Sequence, residues 1–274
     1  MMKIKMLGVL TASALISVTS LQSQADQLAD IKARGTLICG VLSTLEPFGY
    51  VDPASRELVG YDVDFCKSVA KHLGVKADYR QLSLDARIPE LSQGRVDLLA
   101  AVLGYTPARA EQVDFSNSYF LSEMKLAVQE SANYKSLDAL DGKRISSIKG
   151  SSTQVMIRTS IPGAKVVSYD DAPSAFMALA QRKVDGFGLT EAMLRRFIAK
   201  LGDNSKIVVL DQPIGQEYWG LGVKKGEPQL LAAVNDTLSQ MESSGEADQI
   251  FQKWMGKGTI YSMERGFKVQ PIVP

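Results

Sequence analysis

Residues that hold metal ions or act as catalytic bases are scarce in this chain. It contains a single histidine, His72, and only two cysteines, Cys39 and Cys66. A zinc site takes about four nitrogen or sulfur ligands, so a metal centre built from histidine and cysteine is excluded in practice. A serine-histidine-acid triad would have to use His72, and neither a G-x-S-x-G nor an H-E-x-x-H sequence is present. We therefore expect no metal, no cofactor and no catalytic residue.

An excess of charge of either sign is also missing. The 274 residues include 31 Lys and Arg against 30 Asp and Glu, which gives a formal net charge of +1. Hydrophobic residues make up 45% of the chain and charged residues 22%, a composition typical of a folded protein and not of a disordered tail. The balance of charges argues against a polybasic surface for nucleic acid. The length allows one or two domains.

The hydrophobic N-terminus is too short to cross a membrane. Two lysines precede an apolar stretch at residues 6–18, whereas a spanning helix needs roughly 20 residues. Ser23 and Ala25 supply small residues at the two positions that a signal peptidase reads. The sequence therefore predicts a secretory signal peptide over residues 1–25, cleaved near Ala25.

Export changes what the two cysteines imply, because disulfides form in oxidising compartments. Cys39 lies in a strand predicted at 36–41, and Cys66 lies in the helix predicted at 61–73. A strand packed against the next helix can bring two such residues within bonding range. A disulfide and a pair of buried thiols are both compatible with the sequence.

Short apolar runs alternate with segments of helical periodicity along most of the chain. Val96–Val102 is an almost continuous apolar run, as expected of a parallel strand buried on both faces. Strands are predicted at 36–41, 77–82, 96–102, 125–128, 144–148 and 165–167, and helices at 61–73, 85–93, 175–182, 191–201, 227–244 and 247–255. This alternation predicts an α/β protein with parallel sheets.

A weak internal repeat links two helix-to-strand junctions. The pattern L-x-Q-x-basic-V-D occurs at Leu91–Asp97 and again, 88 residues later, at Leu179–Asp185. Two instances of a common junction would account for it, and so would two similar α/β lobes in one chain. The length suits two lobes of about 100–150 residues each.

The segment Gly104–Arg109 directly follows a predicted strand. Ligands of open α/β sheets bind beyond the carboxyl ends of strands. Thr106 and the proline after it fit the N-cap and first turn of a short helix, and the planar fork of Arg109 suits a carboxylate. The sequence equally allows a surface ion pair between Arg109 and Glu111 or Asp114.

Two further segments follow strands in the same way. Gly150 is followed by the hydroxyls of Ser151 and Ser152 at a predicted helix N-terminus, where the helix dipole favours an anion. Plain helix capping is the other interpretation, and the spacing is not that of a phosphate-binding P-loop. Thr190 and Glu191 follow the strand of the second repeat. There Glu191 either accepts a hydrogen bond from a ligand ammonium group or stabilises the first turn of its own helix.

Four stretches match sequence patterns of one known family. The patterns are G-[FY]-D-V-D, R-I-P-x-L-x-x-G-x-V-D, T-P-E-R followed by V-D-F-S, and G-x-x-x-x-I-x-x-K-W. The matching stretches lie at Tyr61–Lys67, Arg87–Asp97, Thr106–Ser116 and Ser244–Trp254. In this order and spacing, after a signal peptide, they resemble the periplasmic amino-acid-binding proteins of ABC importers, solute-binding protein family 3. The resemblance covers nearly all of the chain after the signal peptide.

The resemblance implies an α/β fold of the type II periplasmic-binding-protein class. Each of its two lobes is a mostly parallel sheet flanked by helices, and two crossover segments join the lobes. The first lobe would comprise residues 26–123 and 219–274, and the second lobe residues 124–218. The placement of Cys39 and Cys66 resembles branches of the family in which this pair is bridged. We expect a monomer located in the periplasm.

By matched position, the resemblance implies a carboxylate site in the cleft between the lobes. Arg109 would take the α-carboxylate of a ligand. Amides near Gly104 and Thr106, and the turn at Ser151 and Ser152, would assist it from the two lobes. Gly104 departs from the family pattern, because it replaces the usual serine or threonine hydroxyl, although its amide remains.

Other cleft positions extend the family pattern or depart from it. Arg87 matches a position that can meet the distal carboxylate in binders of glutamate and aspartate, and Leu45 and Leu84 are expected to line an apolar wall. Thr190 stands where the family usually has an aspartate that pairs with the α-ammonium group. The expected ligand is therefore an amino acid held through Glu191, or a carboxylate without the usual ammonium group.

The implied function is that of an extracytoplasmic solute-binding protein. It would deliver an amino acid, polar or acidic, or a related small carboxylate to the membrane permease and ATPase of an ABC importer. Two alternatives are a sensory protein that reports its ligand to a receptor and an enzyme like cyclohexadienyl dehydratase on the same fold. The enzyme would need a general acid or base in the cleft, for which Glu46 and Glu191 are the candidates.

Overall fold

The computed structural model describes residue 1 and residues 26–202 and 205–273, so residues 2–25 of the predicted signal peptide lie outside the described residues. The helices are α1 (Gln27–Arg34), α2 (Tyr61–Leu73), α3 (Arg87–Ser92), α4 (Pro107–Ala110), α5 (Thr153–Ser160), α6 (Ala172–Ala180), α7 (Glu191–Lys200), α8 (Pro228–Ser244) and α9 (Glu246–Met255), with 3-10 turns at Glu130–Ala132 and Leu137–Leu140. The strands are β1 (Thr36–Val41), β2 (Thr44–Leu45), β3 (Gly49–Val51), β4 (Leu58–Val59), β5 (Lys76–Gln81), β6 (Leu98–Leu99), β7 (Val113–Gln129), β8 (Arg144–Ile148), β9 (Lys165–Tyr169), β10 (Gly186–Thr190), β11 (Ile207–Val209) and β12 (Gly215–Lys224). Within these described segments, none of the helices combines the length and apolar character needed to cross a membrane.

Among the described residues, nine strands form one mixed sheet in the order β5-β1-β6-β12-β7-β10-β8-β9, with β11 also paired to β7. The pairs β1–β5 and β1–β6 are parallel, and so are β8–β9 and β8–β10. We call the part built around β1, β5 and β6 the first lobe, and the part built around β8, β9 and β10 the second lobe. Each lobe has a parallel sheet flanked by helices, so the α/β fold with two lobes is confirmed.

The long strands β7 and β12 run antiparallel to each other and join the lobes. Strand β7 pairs with β12 from Val113 to Met124, and its remainder pairs with β10 and β11. The strand predicted at 125–128 is confirmed, but it is only the C-terminal part of β7. Pairing with the distant strand β12 extends β7 through residues 114–116, whose local composition favours a turn. The predicted lobe boundaries, after residues 123 and 218, fall inside β7 and β12, and the exact division remains a prediction.

The apolar run Val96–Val102 contributes much less strand than its sequence predicts. Only Leu98 and Leu99 pair with β1, and the chain then turns away, with Val102 at a positive φ of 45°. The carbonyl groups of Ala101 and Val102 therefore accept hydrogen bonds from the side chain of Arg87. The run is buried as expected, but it ends in a loop that forms part of the cleft.

The two copies of the internal repeat occupy equivalent places in the two lobes. In each copy a helix, α3 or α6, leads into a strand, β6 or β10. The Asp97 carboxylate accepts from the backbone N–H of Ile38 in β1 (2.8 Å), and the Asp185 carboxylate accepts from that of Arg144 in β8 (2.9 Å). This shared use of an aspartate to hold the neighbouring parallel strand favours two similar lobes over a chance likeness of two junctions.

Strand β1 is tied to helix α2 by a disulfide bond between Cys39 and Cys66. Both residues are fully buried in the core of the first lobe. The predicted pairing is therefore confirmed, and the alternative of two buried free thiols is wrong.

An aromatic cluster fixes the place where β7 and β12 cross between the lobes. The ring of Trp219 lies 4.7 Å, centroid to centroid, from the rings of both Phe48 and Phe120, and Tyr61 packs edge-on against Phe48. Trp219 is fully buried, with 1% of its surface exposed. Packing of this kind restricts the orientation of an indole ring, and its N–H group is thereby aimed into the cleft.

Candidate functional site

Arg87 begins helix α3 and is buried, with 2% of its surface exposed. Its Nε atom donates to the carbonyl of Leu84 (2.8 Å), and Nη1 donates to those of Ala101 (2.7 Å) and Val102 (2.9 Å). Nη2 reaches the second lobe and donates to the carbonyl of Gly150 (3.2 Å). Burial lowers the pKa of Arg87 to about 9, which leaves the guanidinium group charged at neutral pH.

Helix α4 directs Arg109 to the Gly150 carbonyl group, which Arg87 also contacts. The Thr106 hydroxyl caps this helix by accepting from the backbone N–H of Arg109 (3.2 Å), as predicted. Nη1 of Arg109 donates to the carbonyl of Gly104 (2.7 Å), and Nη2 donates to that of Gly150 (2.9 Å). Arg109 therefore bridges the two lobes, and Asp114, one of its two possible surface partners, pairs with Lys225 instead. Gly104, Thr106 and Arg109 are not among the residues that line the cavity between the lobes.

Gly150 is a point of close approach between the two lobes. Its φ of 76° lies in the left-handed region, and a Cβ atom at this position would lie only 2.6 Å from Cα of Asp85 in the first lobe. Beside it, Nζ of Lys149 forms an ion pair with the Asp85 carboxylate (2.8 Å). Glycine at this position therefore permits the close approach of the second lobe to the first.

Ser151 and Ser152 precede helix α5 and have different partners. The Ser151 hydroxyl lies 3.0 Å from that of Ser147 within the second lobe. Ser152 is at the N-cap position, but its hydroxyl donates to the carboxylate of Glu217 instead of capping the helix. Of the two predicted serines, Ser152 therefore provides the hydroxyl that links the second lobe to the joining strands.

Glu217 is a cleft residue that the sequence analysis missed. It lies in β12 with 6% of its surface exposed, and besides Ser152 it accepts from Nε1 of Trp219 (2.7 Å). Burial raises the pKa of Glu217, although the Ser152 hydroxyl and the charge of Arg109 oppose this effect. The sequence contained a signal that these two side chains lie together, because residues two apart in a strand, such as Glu217 and Trp219, point to the same face.

The remaining cleft wall is mostly apolar. The cavity between the lobes has a volume of about 20 Å³, which holds about one water molecule. Thr190, at the end of β10, is buried with 4% of its surface exposed and presents no charge. The cavity brings together the predicted residues Leu45, Leu84, Arg87, Ser151, Ser152 and Thr190 with Val102, Met124, Thr153, Leu189, Met193, Glu217 and Trp219.

Glu191 is directed away from this cleft. Its carboxylate forms ion pairs with Lys125 and Arg195, both at 2.5 Å. Burial would raise the pKa of Glu191, but the hydrogen bonds from Lys125 and Arg195 outweigh it and lower the pKa. Glu191 lines a separate cavity of about 320 Å³ beside Arg196 and Tyr261. The structure therefore does not bring Glu191 to the cavity that contains Arg87 and Ser152.

Helix α7 supplies a second contact between the lobes. Glu46, which follows β2 in the first lobe, binds Arg196 and also Nζ of Lys200 (3.4 Å) in the second lobe. Glu46 and Glu191, the two acids considered for catalysis, are thus both engaged with basic side chains.

Asp62 supports the cleft from within the first lobe, and burial raises its pKa to about 7. Its carboxylate accepts from the Tyr119 hydroxyl (2.7 Å) and from the backbone N–H of Val102 (2.8 Å). The folded protein therefore holds a proton on Asp62 that the unfolded chain releases near pH 3.8. The stabilisation by this proton is complete below that pH and is lost as the pH rises towards 7.

We expect Asp62→Asn to remove this pH dependence. Relative to the wild-type protein, the free energy of unfolding of the variant should improve by about 1.4 kcal/mol for each pH unit between pH 4 and pH 7. Urea denaturation of both proteins across this range measures the difference, and groups that titrate in both proteins cancel. A difference that stays constant with pH would show that Asp62 titrates normally.

A family model described as bacterial extracellular solute-binding proteins, family 3, matches residues 37–257. The chain is 32% identical over 240 residues to the ABC transporter glutamine-binding protein GlnH of Bacillus subtilis strain 168, covering 86% of this chain and 87% of that protein. It is 29% identical over 255 residues to the L-cystine-binding protein TcyJ of Escherichia coli strain K12, covering 92% of this chain and 94% of that protein.

A solved structure of an amino-acid-binding protein has a fold similar to that of this chain. The ancestral amino acid-binding protein AncCDT-1, a precursor of cyclohexadienyl dehydratase, matches with a TM-score of 0.76 and 29% identity, covering 84% of this chain and 99% of that chain. The relatives are amino-acid-binding proteins, as the sequence motifs implied. Because the family model covers most of the chain, this protein belongs to the bacterial extracellular solute-binding proteins of family 3.

Proposed function

We propose that this protein is the solute-binding component of an ABC importer, and that it captures an amino acid or a related small carboxylate between its lobes. One observation carries the proposal: Arg87 and Arg109 from the first lobe meet the turn before α5 of the second lobe at Gly150. Guanidinium groups and a helix N-terminus both favour an anionic group. A solute that bridges them binds the closed form better and shifts the population towards it.

The names of the relatives support the rest of the proposal. GlnH and TcyJ are named for glutamine and L-cystine, which favours a polar amino acid as the solute. We infer that the protein acts as a monomer and delivers this solute to a membrane permease and its ATPase.

We infer export to the periplasm through the signal peptide at residues 1–25. The Asp26 carboxylate caps α1 by accepting from the backbone N–H of Leu28, which suits a mature chain that begins at Asp26.

Arg109→Ala is expected to weaken solute binding by about 100-fold or more, because the variant lacks a charge-assisted hydrogen bond to the solute carboxylate. The measurement is calorimetric titration of the mature protein, unfolded and refolded to remove any carried solute. A thermal-shift screen of each L-amino acid and its deaminated carboxylate first identifies the solute. A response to both members of a pair would show that no ammonium group is required at Thr190.

Arg95→Ala is the matched control, since Arg95 belongs to the same lobe but is exposed and paired with Glu90. We expect its affinity for the solute to equal that of the wild-type protein. An Arg109→Ala variant that binds within threefold of wild type would remove Arg109 from the site.

An enzyme on this fold is the second candidate function, and Glu217 is the observation that favours it. Glu217 is a buried acid in the cleft with a raised pKa, which is the property required of a general acid. AncCDT-1 is described as a precursor of a dehydratase. The test is to incubate the protein with a cyclohexadienyl compound and to record the absorbance of the aromatic product that dehydration would form. An increase in this absorbance would show turnover, whereas binding alone would produce none.

A further inference from the structure

The Glu217 side chain occupies the part of the cleft where the family resemblance places a ligand carboxylate. Its Oε2 atom accepts from the Ser152 hydroxyl, and Oε1 accepts from Nε1 of Trp219 (2.7 Å). The carboxylate also lies against Gly104, at the end of the segment that carries Arg109. Gly104, Ser152 and Arg109 are three of the residues expected to bind the carboxylate of a solute.

Gly104 makes this placement possible. A Cβ atom built on Gly104 would lie within 2.6 Å of all three atoms of the Glu217 carboxylate group, closer than unbonded atoms approach. The φ angle of Gly104 is not among the positive values of the chain, so the backbone itself does not require glycine here. The missing side chain at Gly104 therefore provides the space that the Glu217 carboxylate fills.

The surroundings of Glu217 are those of an anion site. Two donors, the hydroxyl of Ser152 and the indole of Trp219, point at its oxygen atoms. The charges of Arg109 and Arg87 favour its ionised form and oppose the effect of burial. A carboxylate is thus bound at this position by the protein's own chain, and a second carboxylate would meet both steric overlap and like charge.

We propose that Glu217 is an internal carboxylate that competes with the carboxylate of a solute for one position in the cleft. The inference rests on the proposed function only in taking the cleft as the solute site. It means that a carboxylate-bearing solute binds by displacing Glu217 from Ser152 and Gly104, and that its affinity is set by this exchange. Glu217 is therefore a specificity-determining residue that disfavours small free carboxylates.

Glu217→Ala tests the proposal, because it removes the internal carboxylate and leaves its position in the cleft empty. Acetate, a small free carboxylate, is the probe that should bind there. The variant is expected to gain about 3 °C or more in melting temperature in about 50 mM sodium acetate, compared with the same concentration of sodium chloride. The wild-type protein and Glu217→Gln, which keeps the shape of the side chain, should not respond. The solute found by the amino-acid screen should bind Glu217→Ala at least about tenfold more tightly than wild type.

A double-mutant cycle gives an independent readout. Gly104→Ala is expected to lower the urea midpoint of the wild-type protein, because its methyl group and the Glu217 carboxylate require the same space. In the Glu217→Ala background the same change should leave the midpoint unchanged or raise it. If Glu217→Ala does not fold, Glu217→Ser, which is also small but polar, replaces it in both experiments.

The proposal is overturned if Glu217→Ala responds to acetate no more than wild type, or if Gly104→Ala has equal effects in both backgrounds. It is also overturned if Glu217→Ala and Glu217→Gln both lose amino-acid binding, since Glu217 would then accept from a solute ammonium group. Neither the acetate response nor the cycle needs a transported solute. A wild-type protein that binds neither an amino acid nor a deaminated carboxylate would therefore contradict the proposed function and leave this test intact.

Discussion

Replacing Arg87 by methionine is expected to lower the free energy of unfolding by about 3–5 kcal/mol. Methionine matches the length of the arginine stem but donates no hydrogen bonds. The carbonyl groups that Arg87 now satisfies, those of Leu84, Ala101, Val102 and Gly150, would lose this donor. The loop at Ala101 and Val102 does not continue strand β6, so no neighbouring strand in the described part of the chain donates hydrogen bonds to these two carbonyl groups. The guanidinium group of Arg87 donates to them instead. Urea denaturation followed by circular dichroism measures the change.

Arg95→Met is the control for Arg87→Met. Arg87 begins α3 and Arg95 lies just after its end, but Arg95 is exposed and its guanidinium group binds the Glu90 carboxylate (2.5 Å). Its loss should therefore change stability by less than about 0.5 kcal/mol. Arg87→Lys is expected to fall between the two, because an ammonium group cannot reach all four carbonyls of the planar guanidinium fork. A loss below about 1 kcal/mol for Arg87→Met would show that water satisfies these carbonyls.

Removal of the disulfide is expected to have the second largest effect. Cys39 and Cys66 are 27 residues apart in the sequence, and closing a loop of this length stabilises a protein by about 3–4 kcal/mol in the chain-entropy model. For a protein of this size, the melting temperature should fall by about 6–16 °C in the double variant Cys39→Ala/Cys66→Ala. Thermal unfolding with and without reductant measures the effect.

The double variant also serves as the control for the reductant. A thiol reductant should lower the melting temperature of the wild-type protein to that of the double variant, and it should leave the double variant unchanged. A wild-type melting temperature that does not respond to complete reduction would show that packing between β1 and α2 holds this part of the first lobe without the bond.

Local signals in the sequence predicted much of the fold. The helix at 61–73 ends at Gly74, which adopts the left-handed conformation of a helix C-cap. Thr106 caps α4 as its sequence indicates. The repeat ending at Asp97 and Asp185 marked two equivalent junctions. These features depend on residues only a few positions apart, so a window of sequence contains the interactions that produce them.

The strand predictions were less successful where pairing partners are distant. Residues 114–116 have the composition of a turn, yet they form part of β7 because β12, about a hundred residues later, pairs with them. The apolar run after Val96 resembles a long strand, but its last carbonyls are bound by Arg87. In both places a contact outside the local window decides the backbone conformation.

The sequence by itself determined the α/β class, the two lobes and the family, and it predicted six of the thirteen residues that line the cavity between the lobes, among them Arg87 and Ser152. Only the tertiary structure decided what these side chains bind. It directed both Arg87 and Arg109 to the carbonyl of Gly150, turned Glu191 towards Lys125 and placed Glu217 between Gly104 and Ser152. The physical reason is that helices and caps arise from neighbours in the chain, whereas a cleft is assembled from residues of both lobes whose distances and charges exist only after folding.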